Sequence, residues 1–219
     1  QGCRDAVALA AQYPHIYAAA GIHPECINDT SPEALNEVEA LLDAPKVVAV
    51  GEIGLDYHFA DNAPREIQRE WFARQLDLAN RRGLPVIVHD RDAHGDTMEL
   101  LQKYRPKGVV HCFSGSVEMA REVVRLGMYI GLGGSVTFKN ARVPVEVAAD
   151  VPLEHLLLET DAPYMAPVPF RGKRCDSSMI AKTAERIAEI RGIPVEVLLK
   201  ATQRNAAKLF GIPLEEAST

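Results

Sequence analysis

The 219-residue chain lacks any apolar run long enough to cross a bilayer, and its first residues lack the pattern of a secretory signal. Cysteine is scarce. Cys3, Cys26, Cys112 and Cys175 are scattered and form no Cys-x-x-Cys pair, which argues against a zinc ribbon and for a reduced, cytoplasmic setting. An excess of basic charge is missing too. The net charge of −6 gives no footprint for tight, non-specific nucleic-acid binding, but it allows an enzyme that meets phosphate through a bound cation. No internal repeat, low-complexity segment or linker divides the sequence, so residues 1–219 are read as one domain. The chain begins at Gln1 rather than Met, and residues upstream of it are expected.

What is present is an alternation of strand and helix signals, the pattern of a parallel α/β sheet. The predicted strands are His15–Gly21, Lys46–Ile53, Leu84–His89, Gly108–His111, Met128–Leu132 and His155–Thr160. Ser31-Pro32 reads as a helix start, with Leu35, Val38, Leu41 and Leu42 forming one buried face. Pro64 opens a second helix that ends at Gly83, its core stripe being Ile67, Trp71 and Leu78. Further helices are predicted over Val117–Leu126, Ser178–Arg191 and Val195–Phe210, stopped by Gly127, Gly192 and Gly211. The stretch from Ala162 to Asp176, rich in proline and basic residues, reads as an active-site loop.

Four residues with metal-binding side chains fall at the ends of apolar, β-branched runs: Glu52, His89, His111 and Asp161. In α/β barrels the carboxyl ends of the strands carry the chemistry. Two imidazoles and two carboxylates gathered there suit a divalent cation. Each residue also has a structural reading: Glu52 as a turn residue, the histidines as buried and satisfied by carbonyls, Asp161 as a cap before Pro163. The recurrence at matching strand ends favours the metal.

In order, the motifs are Gly21-Ile22-His23-Pro24, Gly51-Glu52-Ile53-Gly54-Leu55-Asp56, Val88-His89-Asp90-Arg91-Asp92-Ala93, His111-Cys112-Phe113-Ser114-Gly115 and Glu159-Thr160-Asp161-Ala162-Pro163-Tyr164. This series resembles the TatD family of metal-dependent deoxyribonucleases on a TIM-barrel fold, and the likeness runs to Asn205 and Phe210. The resemblance implies a TIM-barrel-like domain in which two of the eight strand–helix units, the first two, are missing. It implies one or two divalent ions (magnesium, manganese or zinc), with Glu52 bridging, His89 and His111 on the second ion, and Asp161 on the first. The family's first-strand His-x-His pair is absent from this sequence, as is the Asn-Glu-Pro expected after Arg171-Gly172-Lys173-Arg174.

The expected reaction is hydrolysis of phosphodiester bonds, with DNA as the substrate. It needs a water activated near neutral pH and counter-charge for the developing oxyanions. Asp161 and Glu52 are the expected catalytic residues. Two roles fit His23, touching a substrate phosphate or bracing its turn. Arg91 either neutralises phosphate or pairs with Asp90 or Asp92. The alternatives are an amide or ester hydrolase on the same barrel, or a catalytically impaired scaffold that self-associates through open barrel edges.

Overall fold

The computed structural model describes residues 1–214. The chain divides into two compact units, Gln1–Val109 and Val110–Thr219. Both are built from parallel strands joined by helices, so the expected α/β class is what the chain adopts.

In the first unit α1 (Gly2–Gln12) leads into β1 (Ala18–Ala20), a 3₁₀ turn (Pro24–Asp29) and α2 (Ala34–Leu41). Then come β2 (Val47–Asp56), α3 (Arg65–Arg82), β3 (Val86–Arg91), α4 (His94–Tyr104) and the start of β4 (Gly108–Val110). β2 pairs in parallel with both β1 and β3. The Val86 amide donates to the Lys107 carbonyl at 2.9 Å, which brings the entry to β4 beside β3. The core is Ile53, Leu55, Phe72, Leu76, Leu78, Val86, Val88 and Leu101, all buried.

Helix α3 does more than cover β2. Its buried Gln68 and Gln75, two turns apart on one face, each hold a strand end by a pair of backbone hydrogen bonds. Gln75 accepts from the Ile22 amide at 2.7 Å and donates to the Ile22 carbonyl at 3.0 Å. Gln68 does the same for Asp56, at 2.8 and 2.9 Å. These bonds satisfy backbone groups that buried strand ends would otherwise leave unpaired. They also fix the segments that carry His23 and Asp56.

The second unit contains α5 (Val117–Arg125), β5 (Tyr129–Leu132), a 3₁₀ turn (Gly134–Thr137) and α6 (Arg142–Asp150). β6 (Leu156–Leu158) follows, then α7 (Ile180–Arg191) and α8 (Val195–Phe210). β5 and β6 are parallel, and Phe113, just past β4, donates to Gly131 in β5 at 3.0 Å. Met128, Ile130, Leu132, Leu156, Ile187 and Leu198 form its fully buried centre. Asn205 of α8 donates to the carbonyls of Leu153 and Leu156, both at 2.8 Å, and so anchors the start of β6.

Several predicted boundaries move. α2 begins at Ala34, because Ser31 and Pro32 form a turn in which the Ala34 amide donates to the Ser31 carbonyl. Ile67 is 41% exposed, so the α3 stripe is Trp71 and Leu78 without it. Helices α1, α4 and α6 were not read in the sequence. Gly83, Gly192 and Gly211 stop their helices as expected, each in the left-handed conformation that glycine adopts without a Cβ clash.

Candidate metal centre

Glu52 and His89 were expected at the ends of the strands Lys46–Ile53 and Leu84–His89, and both lie inside strands. β2 continues four residues beyond Glu52 to Asp56, and His89 is within β3. The β2–β3 register shifts between Val50 and Ile53, so Glu52 sits in an irregular stretch of ladder. Such irregularities re-aim a side chain. Gly54 faces His89 in the register, and any Cβ at Gly54 would overlap the His89 carbonyl. Only glycine permits this approach of β2 to β3.

The His89 imidazole lies between two carboxylates. Its Nδ1 is 2.9 Å from Glu52 Oε1 and its Nε2 is 3.0 Å from Asp56 Oδ2. Asp56 has no solvent exposure, and its other oxygen accepts the His58 amide at 2.9 Å. A buried carboxylate demands hydrogen-bond donors, so the Nε2 proton of His89 belongs to Asp56. Nδ1 then faces Glu52, and a second proton or a cation must stand between them. Burial lowers the basicity of His89, but the hydrogen bonds and charges of Glu52 and Asp56 outweigh it, and the net shift is upward.

His23 completes this cluster. One ligand atom each from His23, Glu52 and His89 lie within 4.8 Å of one another. Nitrogen and oxygen donors this close are the set that zinc or manganese takes readily, so the residues fit a divalent cation. His23 also braces its turn, as the second of its two expected roles required. Its Nδ1 accepts the Glu25 amide at 3.3 Å, and its Nε2 is 3.7 Å from Glu52 Oε1.

In the second unit, His111 follows β4 and Asp161 lies three residues beyond β6. His111 Nε2 is 4.0 Å from Asp161 Oδ1. His111 Nδ1 is 3.2 Å from Glu159 Oε2, and Glu159 Oε1 accepts the Cys112 amide at 2.6 Å. Glu159 thus stands to His111 as Asp56 stands to His89. A carboxylate behind a ligating histidine fixes the tautomer and the ring orientation. The pairing uses Nε2 at His89 and Nδ1 at His111.

Arg91 pairs with neither Asp90 nor Asp92. Its guanidinium lies 4.8 Å from the centre of the Phe59 ring. Buried Asp90 instead contacts His94 Nδ1 at 2.6 Å and Thr97 Oγ1 at 3.1 Å, and Asp92 pairs with His58. Asp56, Glu159, Gln68 and Gln75 were missed as functional residues. A signal for the two acids was present, since Glu52 and Asp56, like Glu159 and Asp161, are spaced to share one face of an extended strand.

The family model described as TatD related DNase matches residues 1–211, and so runs through both units. The chain belongs to the TatD family. It is 43% identical over 210 residues to the uncharacterized metal-dependent hydrolase YabD of Bacillus subtilis, covering 94% of this chain and 82% of that one. It is 36% identical over 217 residues to the 3′-5′ ssDNA/RNA exonuclease TatD of Citrobacter rodentium, covering 95% and 82%. Among solved structures it is similar to the TatD homologue YjjV of Escherichia coli K12, with a TM-score of 0.91 and 39% identity over 96% of this chain and 82% of that one. The protein is a metal-dependent hydrolase of the TatD family with a TIM-barrel-like α/β fold.

Proposed function

We propose that this TatD-family hydrolase cleaves phosphodiester bonds in DNA. The observation that carries the reading is His89, held between Glu52 and buried Asp56 with one nitrogen on each carboxylate. A structural histidine needs one such partner; a second carboxylate at the other nitrogen makes sense when a cation is to be held there. The name of the Citrobacter relative, which specifies ssDNA and RNA, also supports a nucleic-acid substrate.

In this reading Glu52 and His89 are metal ligands in the first unit, and His111 and Asp161 are ligands in the second. Imidazole nitrogens among the ligands favour manganese or zinc over magnesium. When bound, the cation supplies charge to stabilise the developing oxyanion and to acidify the attacking water. Asp161 and Glu52 are the catalytic residues of this reading: Asp161 would orient an attacking water, and Glu52 would hold a cation. His23, whose Nδ1 accepts the Glu25 amide, would turn Nε2 toward the cation held by Glu52 and His89. Arg91, steadied on Phe59, offers a phosphate contact. β1 pairs with β2 alone among the described strands, and self-association through its other edge is part of the proposal.

The test is hydrolysis of a DNA oligonucleotide and of small amide and ester substrates in parallel with added manganese. The DNA should be cleaved, with the Asp161→Asn variant folded and much slower. Amide or ester turnover without DNA cleavage, or an Asp161→Asn variant as fast as wild type, contradicts the reading.

A further inference from the structure

The segment from Ala162 to Cys175 has no helix or strand, yet it is pinned at several points. The Cys175 amide donates to the Pro163 carbonyl at 2.9 Å and ties the two ends together. Midway, the Val168 amide donates to Thr137 Oγ1 at 2.8 Å, and Ala166 and Cys175 are buried. A Cβ on Gly134 would overlap the Met165 carbonyl, so the loop lies directly against the turn that contains Thr137. The loop is therefore a fixed surface.

What this surface presents is unusual for an acidic chain. It has no Asp or Glu, but it carries Arg171, Lys173 and Arg174, with Lys139 on the neighbouring turn. None of these four cations has a carboxylate within ion-pair distance among the described residues. Aromatic rings are interleaved with them. The Arg171 guanidinium lies 3.7 Å from the centre of the Phe138 ring, and Lys173 Nζ lies 5.9 Å from that of Phe170. Tyr164 is 70% exposed, the most open of the large hydrophobic side chains. Its amide donates to the Asp161 carbonyl at 2.6 Å, which places it one short turn from a candidate ligand.

Single exposed aromatics are ordinary on protein surfaces. An exposed ring among unpaired cations on a pinned loop next to a metal-ligand carboxylate is another matter. Unpaired cations beside open aromatic faces are how proteins hold single-stranded nucleic acid, with charge on the phosphates and bases stacked on the rings. A duplex hides its base faces within its own stack and offers Tyr164 nothing to cover.

We infer that the loop from Ala162 to Cys175 is the strand-binding platform of this enzyme, where Tyr164 stacks on an unpaired base while Arg171, Lys173 and Arg174 hold the adjoining phosphates. The inference rests on the phosphodiesterase reading and assigns to named side chains the single strand that the name of the Citrobacter relative specifies.

The experiment measures binding, not turnover, so its failure is separate from failure of the hydrolase reading. Fluorescence anisotropy would follow the full chain in manganese buffer with a short phosphorothioate oligothymidylate, its abasic counterpart, and a duplex of equal length. The thymidylate strand should bind more tightly than the duplex. Tyr164→Ala should weaken thymidylate binding by about tenfold, Tyr164→Phe should restore it, and the abasic strand should ignore both changes. Replacing Arg171, Lys173 and Arg174 together by alanine should weaken both single strands. It should also flatten the slope of log affinity against log salt by about 2, at roughly 0.7 per lost phosphate contact. Tyr164→Ala binding like wild type, an abasic strand equally sensitive to it, an unchanged salt slope, or a duplex that binds as well as the single strand would each overturn the inference.

Discussion

Nε2 of His89 lies 3.0 Å from Oδ2 of Asp56, a carboxylate with no solvent exposure. This contact determines which nitrogen of His89 faces Glu52. With the proton held on Nε2 by Asp56, Nδ1 is the atom that faces Glu52 Oε1 at 2.9 Å. Replacing Asp56 by asparagine keeps the shape but removes the charge that holds the imidazole. The Asp56→Asn variant should stay folded and bind manganese roughly 10- to 100-fold more weakly, as measured by titration calorimetry. Wild-type affinity in that variant would show that Asp56 does not orient the ring.

A steric version of the same test exists at His111. A Cβ on Gly131 would overlap Glu159 Oε2, the oxygen 3.2 Å from His111 Nδ1. At Gly133 the nearest atom would be an ordinary 3.5 Å away. Gly131→Ala should displace the Glu159 carboxylate, lower stability by about 1–3 kcal/mol through the lost hydrogen bonds to His111 and the Cys112 amide, and weaken metal binding. Gly133→Ala should do little of either. Equal behaviour of the two variants in thermal melts and metal titrations would argue against Glu159 as the support of His111.

The pair formed by His94 and buried Asp90 makes a prediction about pH. The hydrogen bond that His94 donates to Asp90 raises the His94 pKa above its ordinary value of 6.5, more than partial burial lowers it. A histidine whose folded-state pKa is raised stabilises the fold fully below its unfolded pKa, and that contribution is lost as pH rises through the folded pKa. The melting temperature of wild type should therefore exceed that of His94→Gln most clearly below about pH 6.5, and the difference should shrink in alkaline buffer. A difference that is constant with pH, or that grows as pH rises, would contradict the assignment.

The candidate ligands stand out in the sequence because each falls at or near the end of an apolar run, and short β-branched runs are the strongest mark of a buried strand. Their supports were less visible. Asp56 was read as the last letter of a motif because β2 was expected to stop at Ile53, and ending the strand there hides the alternation that puts Glu52, Gly54 and Asp56 on one face. Glu159 was overlooked for the same reason, two residues before Asp161. Helix α6 escaped because Val143, Val145 and Val147 alternate like a strand and Pro144 sits in its first turn. α4 escaped because Gly95 follows its first residue and no side chain caps its start. Gln68 and Gln75 carry no sequence signal for their role, since what they bond to is backbone far away in the chain.

The central claim is that Glu52 and His89 hold a divalent cation. Its most direct test is the manganese content per chain after dialysis against limiting metal, for wild type and for His89→Ala. The account predicts at least one tightly held ion per wild-type chain and a clear loss in the variant. A wild-type chain that retains no metal, or a His89→Ala chain that retains as much, would contradict it.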